Sequence, residues 1–215
     1  FINTHKNVIA NAIPDFPIDN GAAILWEFKE NNPGSFESKF ELWENRLSLC
    51  GSSFDCTWSG FDLAERERLR RFRHAIPELI NSLIARNKID WPSIRKVGTD
   101  TAIPASLFRT VYKQYIDLIK KRQLASVSFG HLGDYHLHIN IIPFNATELD
   151  SALEVYREIM EVTVRNNGTI SAEHGIGKIK KEFFHRMYDE DAICQMKTIK
   201  RSFDPQGILN RGNLF

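Results

Sequence analysis

The sequence predicts an α+β fold, an antiparallel sheet packed against helices. Two observations carry that prediction. Short β-type runs alternate with amphipathic helical stretches, and one pair of runs is joined by a tight-turn signal instead of a crossover helix. The chain has 215 residues, 42% of them hydrophobic and 26% charged. That is the composition of an ordinary globular protein, with length enough to bury a core.

Residues 1–19 read as an irregular lead-in or interdomain linker, broken by Pro14 and Pro17, ahead of a main domain over 20–215. The apolar run over 22–28 predicts a largely buried strand, and Asn31-Asn32-Pro33-Gly34 a turn. Phe36, Phe40, Leu42, Trp43 and Leu47 mark a helix over 36–49. Residues 51–60 predict a loop or short strand. A long helical pattern follows over 63–86, in which Pro77 predicts a kink or a division into two. Residues 87–98 read as irregular, 99–103 as a short strand. Pro104 then opens a helix with Leu107, Phe108, Val111, Tyr115, Leu118 and Ile119 on one face. Strands are predicted over 124–129 and 136–144, a helix over 151–166 stopped by Asn167-Gly168, and a short strand over 169–172. Helices over 176–188 and 192–203, a turn at 204–207 and a polar tail complete the chain.

Composition excludes several function classes. A net charge of +1 gives no footprint for nucleic acid or an acidic membrane. The run Arg66, Arg68, Arg70, Arg71, Arg73 is interleaved with Glu65 and Glu67 and reads as a solvated helix face. Three cysteines without CxxC spacing predict no disulfide framework and fit a reducing cytoplasm. No apolar run approaches the length of a membrane span, and no Walker or dinucleotide-binding motif is present. The chain opens at Phe1 and is read as part of a longer protein.

The chemistry concentrates in Gly130-His131-Leu132-Gly133-Asp134-Tyr135-His136-Leu137-His138-Ile139-Asn140 and Ser171-Ala172-Glu173-His174-Gly175-Ile176-Gly177. A turn centred on Asp134-Tyr135 would set His131 directly opposite His138, close enough for both imidazoles to chelate one ion. Alternation puts Asn140 on that same face and turns Leu137, Ile139 and Ile141 into apolar packing. Glu173 supplies a third ligand. Two histidines and a carboxylate leave positions open, as catalytic centres do; zinc is the first choice, with manganese, cobalt or iron also suited. His174 is a candidate base, a role for which the unperturbed histidine pKa of about 6.5 is suited at neutral pH. His136 reads as a polar residue flanking the turn, and Asp134 as its cap. His5, His74 and His185 read as ordinary surface or partly buried residues.

These blocks, with Phe203-Asp204-Pro205-Gln206-Gly207-Ile208-Leu209-Asn210, resemble the C-terminal domain of FAD-linked oxidases. That group holds the glycolate oxidase flavin subunit, D-lactate dehydrogenase and D-2-hydroxyglutarate dehydrogenase. Arg71-Phe72-Arg73-His74-Ala75-Ile76-Pro77-Glu78 and Asp100-Thr101-Ala102-Ile103-Pro104 resemble two earlier blocks. The resemblance implies a ferredoxin-like α+β domain, helices on one face of its sheet, that covers a flavin held mainly by a separate N-terminal domain not in this chain. It implies metal ligation by His131, His138 and Glu173, with His174 taking a proton from the substrate. It implies substrate binding by Arg73 and Asn140 and places Asn210 near the active site and its cofactor.

The implied function is FAD-dependent dehydrogenation of a small D-2-hydroxy acid of the lactate or glycolate type, with hydride passing to FAD. The expected partners are that acid, the protein's own FAD domain, a downstream electron acceptor and a second copy in a homodimer, but not nucleic acid. The expected location is cytoplasmic, or peripheral to the inner membrane through the acceptor. The isolated chain is expected to lack dehydrogenase activity. A stand-alone metal-dependent hydrolase and a non-catalytic binding domain are the other readings. Two departures stand out. The family's turn reads Gly-Asp-Gly-Asn, where this chain has Gly133-Asp134-Tyr135-His136. Gly98 stands where some relatives carry a lysine for a second carboxylate, which argues against a dicarboxylate substrate.

Overall fold

The computed structural model describes residues 22–27, 29 and 32–215. The chain divides into two compact units, Phe1–Leu79 and Ile80–Phe215. The predictions for 1–19 lie outside the described residues.

In the first unit, helix α1 (Pro33–Leu49) starts where sequence chemistry asks for it. Asn32 caps it by accepting from the Gly34 amide, and Pro33 occupies a first-turn position where its missing N–H costs nothing. Its aromatic residues pack locally: Phe40 stacks on Phe54 at 4.2 Å between centroids, and Trp43 lies 4.2 Å from Trp26. Residues 51–60 form a loop around a short 3-10 turn, Phe54–Cys56. The strand expected over 22–28 does not form. Residues 22–27 are irregular and exposed, Ile24 at 56%, and Phe28 lies outside the described residues. A strand needs a ladder partner, and among the described residues every paired strand belongs to the second unit.

Helix α2 (Leu63–Asp90) begins in the first unit and ends in the second. It is not divided at Pro77, which sits in its interior. A proline there forfeits one backbone hydrogen bond, and the turns on either side outlast that loss. Arg68 pairs with Glu65, Arg70 and Arg71 with Glu67, which makes the basic run a paired, solvated surface.

The second unit is built on one central strand. β1 (Val97–Gly98) and β2 (Thr101–Ala102) run antiparallel to β4 (His136–Ile141) in a single register, Gly98 opposite Asn140 and Ala102 opposite His136. β3 (Ser126–Phe129) pairs antiparallel with β4, Phe129 opposite His138. Beyond β2, Ala102 makes an isolated antiparallel bridge to Thr169, all that forms of the strand expected over 169–172. With α3 (Phe108–Lys121) and α4 (Ala146–Arg165) in the connections, the order is the β-α-β-β-α-β of a ferredoxin-like unit. Helices α5 (Lys181–Met187) and α6 (Glu190–Phe203) follow.

Alternation along β4 separates two faces. Ile139 and Ile141 are fully buried and join Val111, Tyr115 and Ile119 of α3 and Val155, Ile159 and Met160 of α4 in the core. The opposite face carries His136, His138 and Asn140. α4 starts five residues before the sequence reading placed it. Asn145 accepts from the Glu148 amide while the Glu148 carboxylate accepts from Phe144 N–H, a cap reaching across Asn145-Ala146-Thr147-Glu148. α5 starts five residues late, because residues 176–180 form a loop that delivers Lys180 to a buried carboxylate. Among the described residues no helix is long and apolar enough to cross a membrane.

Candidate functional site

The histidines are set by the β3–β4 hairpin. The sequence reading puts His131 opposite His138. The structure instead pairs His131 with His136 through two backbone hydrogen bonds, 3.1 and 3.2 Å, with Leu132–Asp134 a 3-10 turn between them. The loop is longer than a two-residue turn, and Tyr135 closes it in the left-handed region at φ 52°. That conformation disfavours a side chain; here the ring rests 5.5 Å from Phe108. The register shift preserves parity, so His131, His136 and His138 still share a face.

Glu173 meets all three imidazoles. Its Oε1 lies 2.8 Å from His131 Nε2 and 3.5 Å from His136 Nδ1, and its Oε2 lies 3.3 Å from His138 Nε2. His131, His136 and Glu173 offer donor atoms all within 4.8 Å of one another. His136 is therefore not a bystander to the turn: it is 2% exposed and lies between two carboxylates.

The second carboxylate, Asp100, organises the surrounding loop. β1 and β2 share one register, so Asp100 falls opposite His138 on the polar face. Asp100 is 1% exposed. It accepts from the amides of Glu173 and His174 at 3.1 and 2.9 Å, from Lys180 Nζ at 3.0 Å and from the Ser171 hydroxyl at 3.3 Å. His136 Nε2 lies 3.0 Å from its Oδ1. The 171–174 segment wraps this carboxylate instead of continuing as a strand. Burial raises the Asp100 pKa, but the Lys180 hydrogen bond and the His174 and Glu173 amides outweigh it and hold it well below the usual carboxylate range. For Glu173, desolvation is likewise outweighed, by His136, His131 and His138, and its pKa is lowered.

These contacts fix one donor nitrogen on each of two rings. Thr99 O, a carbonyl, can only accept, so His138 donates from Nδ1 at 3.2 Å, and its Nε2 faces Glu173 Oε2 at 3.3 Å. Ionised Asp100 can only accept, so His136 donates from Nε2, and its Nδ1 faces Glu173 Oε1 at 3.5 Å. Imidazoles whose second nitrogen is bound to a carbonyl or carboxylate are the arrangement metal ligands adopt. The residues present therefore fit a divalent ion.

The remaining site residues lie as follows. His174 is exposed, its Nδ1 3.8 Å from Asp100 Oδ2 and its ring 5.1 Å from that of His138. Asn140 is buried on the same face of β4. Asn210 lines a hollow of about 360 Å³ with Lys197, Lys200, Arg201 and Arg211, and no described contact joins it to the histidines. Arg73 is exposed on α2 within the first unit. Sequence reasoning missed Asp100 and Lys180. The available signal was an aspartate inside a strand pattern, between Thr99 and Thr101, where an unpaired charge is costly.

The sequence pattern for FAD linked oxidases, C-terminal domain, matches residues 3–214. The chain belongs to this family. This FAD-linked oxidase domain is 32% identical over 118 residues to glycolate oxidase subunit GlcD of Bacillus subtilis, which covers 54% of the chain and 25% of that protein. It is 39% identical over 93 residues to a D-2-hydroxyglutarate dehydrogenase of Stutzerimonas stutzeri, covering 41% of the chain and 20% of the relative. It is 33% identical over 150 residues to a D-2-hydroxyglutarate–pyruvate transhydrogenase of Saccharomyces cerevisiae, covering 69% and 30%. The matched part of the domain thus spans 20% to 30% of the length of these relatives. Glycolate and D-2-hydroxyglutarate, which their names carry, are 2-hydroxy acids.

Proposed function

We propose that this domain is the substrate-binding half of an FAD-dependent dehydrogenase of small D-2-hydroxy acids, of the lactate or glycolate type. The observation that carries the reading is the convergence of three imidazoles on Glu173 beside an exposed fourth, His174. His131, His138 and Glu173 would hold a divalent ion, with zinc the first choice. When bound, such an ion supplies Lewis-acid polarisation of the substrate's hydroxyl and carboxylate, and FAD, held by a companion domain, supplies hydride acceptance.

The chain's own residues supply positioning and proton transfer. His174 would take the proton of the substrate's hydroxyl, and FAD, when bound, would accept the hydride from the carbon that bears that hydroxyl, so that a 2-oxo acid would result. Asp100 Oδ2 lies 3.8 Å from His174 Nδ1, a carboxylate beside the proton acceptor. Asn140 would hydrogen-bond the substrate, and Asn210 would approach the cofactor. Gly98 faces Asn140 with no side chain, and a Cβ there would come 3.1 Å from Asn140 Oδ1. No cation stands there for a second carboxylate, which supports a monocarboxylate substrate.

The test is a substrate screen on the flavoprotein that contains this domain, with D-lactate, glycolate and D-2-hydroxyglutarate, each with and without chelator. Turnover of the monocarboxylates, lost on chelation, is expected. His174→Asn should lower kcat by about 10²–10⁴. Chelator-insensitive turnover, or turnover by the isolated chain without a flavin domain, would overturn the reading.

A further inference from the structure

The most buried imidazole of the cluster has no role in the ligand set above. His136 is 2% exposed, against a side-chain exposure of 41% for His131. Its Nε2 is bound to Asp100 Oδ1 at 3.0 Å, and its Nδ1 points at Glu173 Oε1 from 3.5 Å. Its ring stacks on His131 at 5.6 Å between centroids and meets His138 edge-on at 4.3 Å. Asp100 takes Nε2, and Nδ1 is left facing the site, its ring grouped with His131 and Glu173 so that one ligand atom of each lies within 4.8 Å of the others.

We propose that His136 is a third imidazole donor to the divalent ion, through Nδ1, and that Asp100 is its positioning residue through Nε2. The inference rests on the metal-site reading and extends it from three protein ligands to four: His131, His136, His138 and Glu173. The chemical logic is the carboxylate–histidine–metal relay. The outer carboxylate fixes the tautomer, holds the ring in place and makes the inner nitrogen a better donor. Asp100 is built for that role. Lys180, Ser171 and two backbone amides hold it, so its position does not depend on the ion.

A four-donor protein shell also changes which ions suit a catalytic site. A tetrahedral ion would be saturated by four protein ligands, leaving no position for substrate. Ions that readily take five or six ligands, such as Mn²⁺, Fe²⁺ or Co²⁺, keep room for the hydroxyl and carboxylate of a 2-hydroxy acid. Zinc, the first choice on three protein ligands, would have to expand beyond four to admit substrate here, so the extra imidazole shifts the preference to such an ion.

The probe is Co²⁺ added to the full chain, read by X-ray absorption for the number of imidazoles and by calorimetric titration for affinity. Three imidazoles per cobalt are expected in the unsubstituted chain, a readout that depends on no variant folding. His136→Asn should lower the count to two and weaken Co²⁺ binding about 10–100-fold. Asp100→Asn should weaken binding in the same range while the count stays at three. Two imidazoles in the unsubstituted chain, with affinity unchanged in His136→Asn, would sink this inference and leave the metal site standing, His136 then being an imidazolium held between two carboxylates. No Co²⁺ binding at all would remove the metal site and this inference with it.

Discussion

At the scale of single residues, Asp100 does more than any histidine to shape the site. It ties together segments far apart in sequence: its own strand edge, His136 of β4, the 171–174 loop and Lys180. Its burial makes those ties obligatory, because an ionised group out of water must be paired. Lys180 is 8% exposed and depends equally on its partner. Asp100→Ala should therefore cost about 3–5 kcal/mol, since it leaves Lys180 and two amides without their acceptor. Denaturant unfolding of the variant beside the unsubstituted chain measures this, and a loss below about 1 kcal/mol would contradict the central role. Little of this was legible in the sequence. The donors announced themselves as histidines and a glutamate among glycines, whereas Asp100 looked like one residue of an unremarkable strand. Its partners come from positions up to 80 residues away, and no local pattern records them.

At the scale of elements, the β3–β4 hairpin decides which imidazoles meet. Reading it as a two-residue turn gives the wrong facing pair, and the reason is physical. Leu132–Asp134 takes up a 3-10 turn and Tyr135 a left-handed conformation, so four residues separate the hydrogen-bonded pair His131 and His136. The faces nevertheless came out right, because hydrophobic alternation along Leu137, Ile139 and Ile141 fixes them whatever the turn. Gly130 enforces the close approach at the hairpin's mouth. A Cβ at that position would lie 2.2 Å from the His136 carbonyl oxygen, a backbone atom with no freedom to yield. Gly130→Ala should pry β3 from β4 at a cost of about 1–3 kcal/mol, typical of overpacking. It should also weaken metal binding, because His131 and His136 separate together. A thermal melt and a Co²⁺ titration of that variant check both effects; an unchanged melt would show that the hairpin mouth is looser than the geometry states.

At the scale of the whole molecule, the α+β class was readable from periodicity, but the ferredoxin-like strand order was not readable from the residues alone. That order depends on the bridge between Ala102 and Thr169, a pairing of distant residues that leaves no mark in either segment. The site has the same character. It exists only when three remote stretches, around Asp100, the hairpin and the 171–180 loop, come together in the folded second unit. An ion bound by His131, His138 and Glu173 would therefore bind the folded chain and not the unfolded one. Ligand linkage then sets the size of the effect: at an ion concentration of 100 times Kd, the gain is about 2.7 kcal/mol. For a domain of this size that raises the melting temperature by roughly 5–10 °C. The rise should be reversed by chelator and absent in His131→Ala, whose fold keeps its core because the His131 side chain lies on the polar face. If added Zn²⁺, Mn²⁺ and Co²⁺ all leave the midpoint where it was, then the three segments are held by Asp100 and Lys180 alone, and the imidazoles do not form a metal centre.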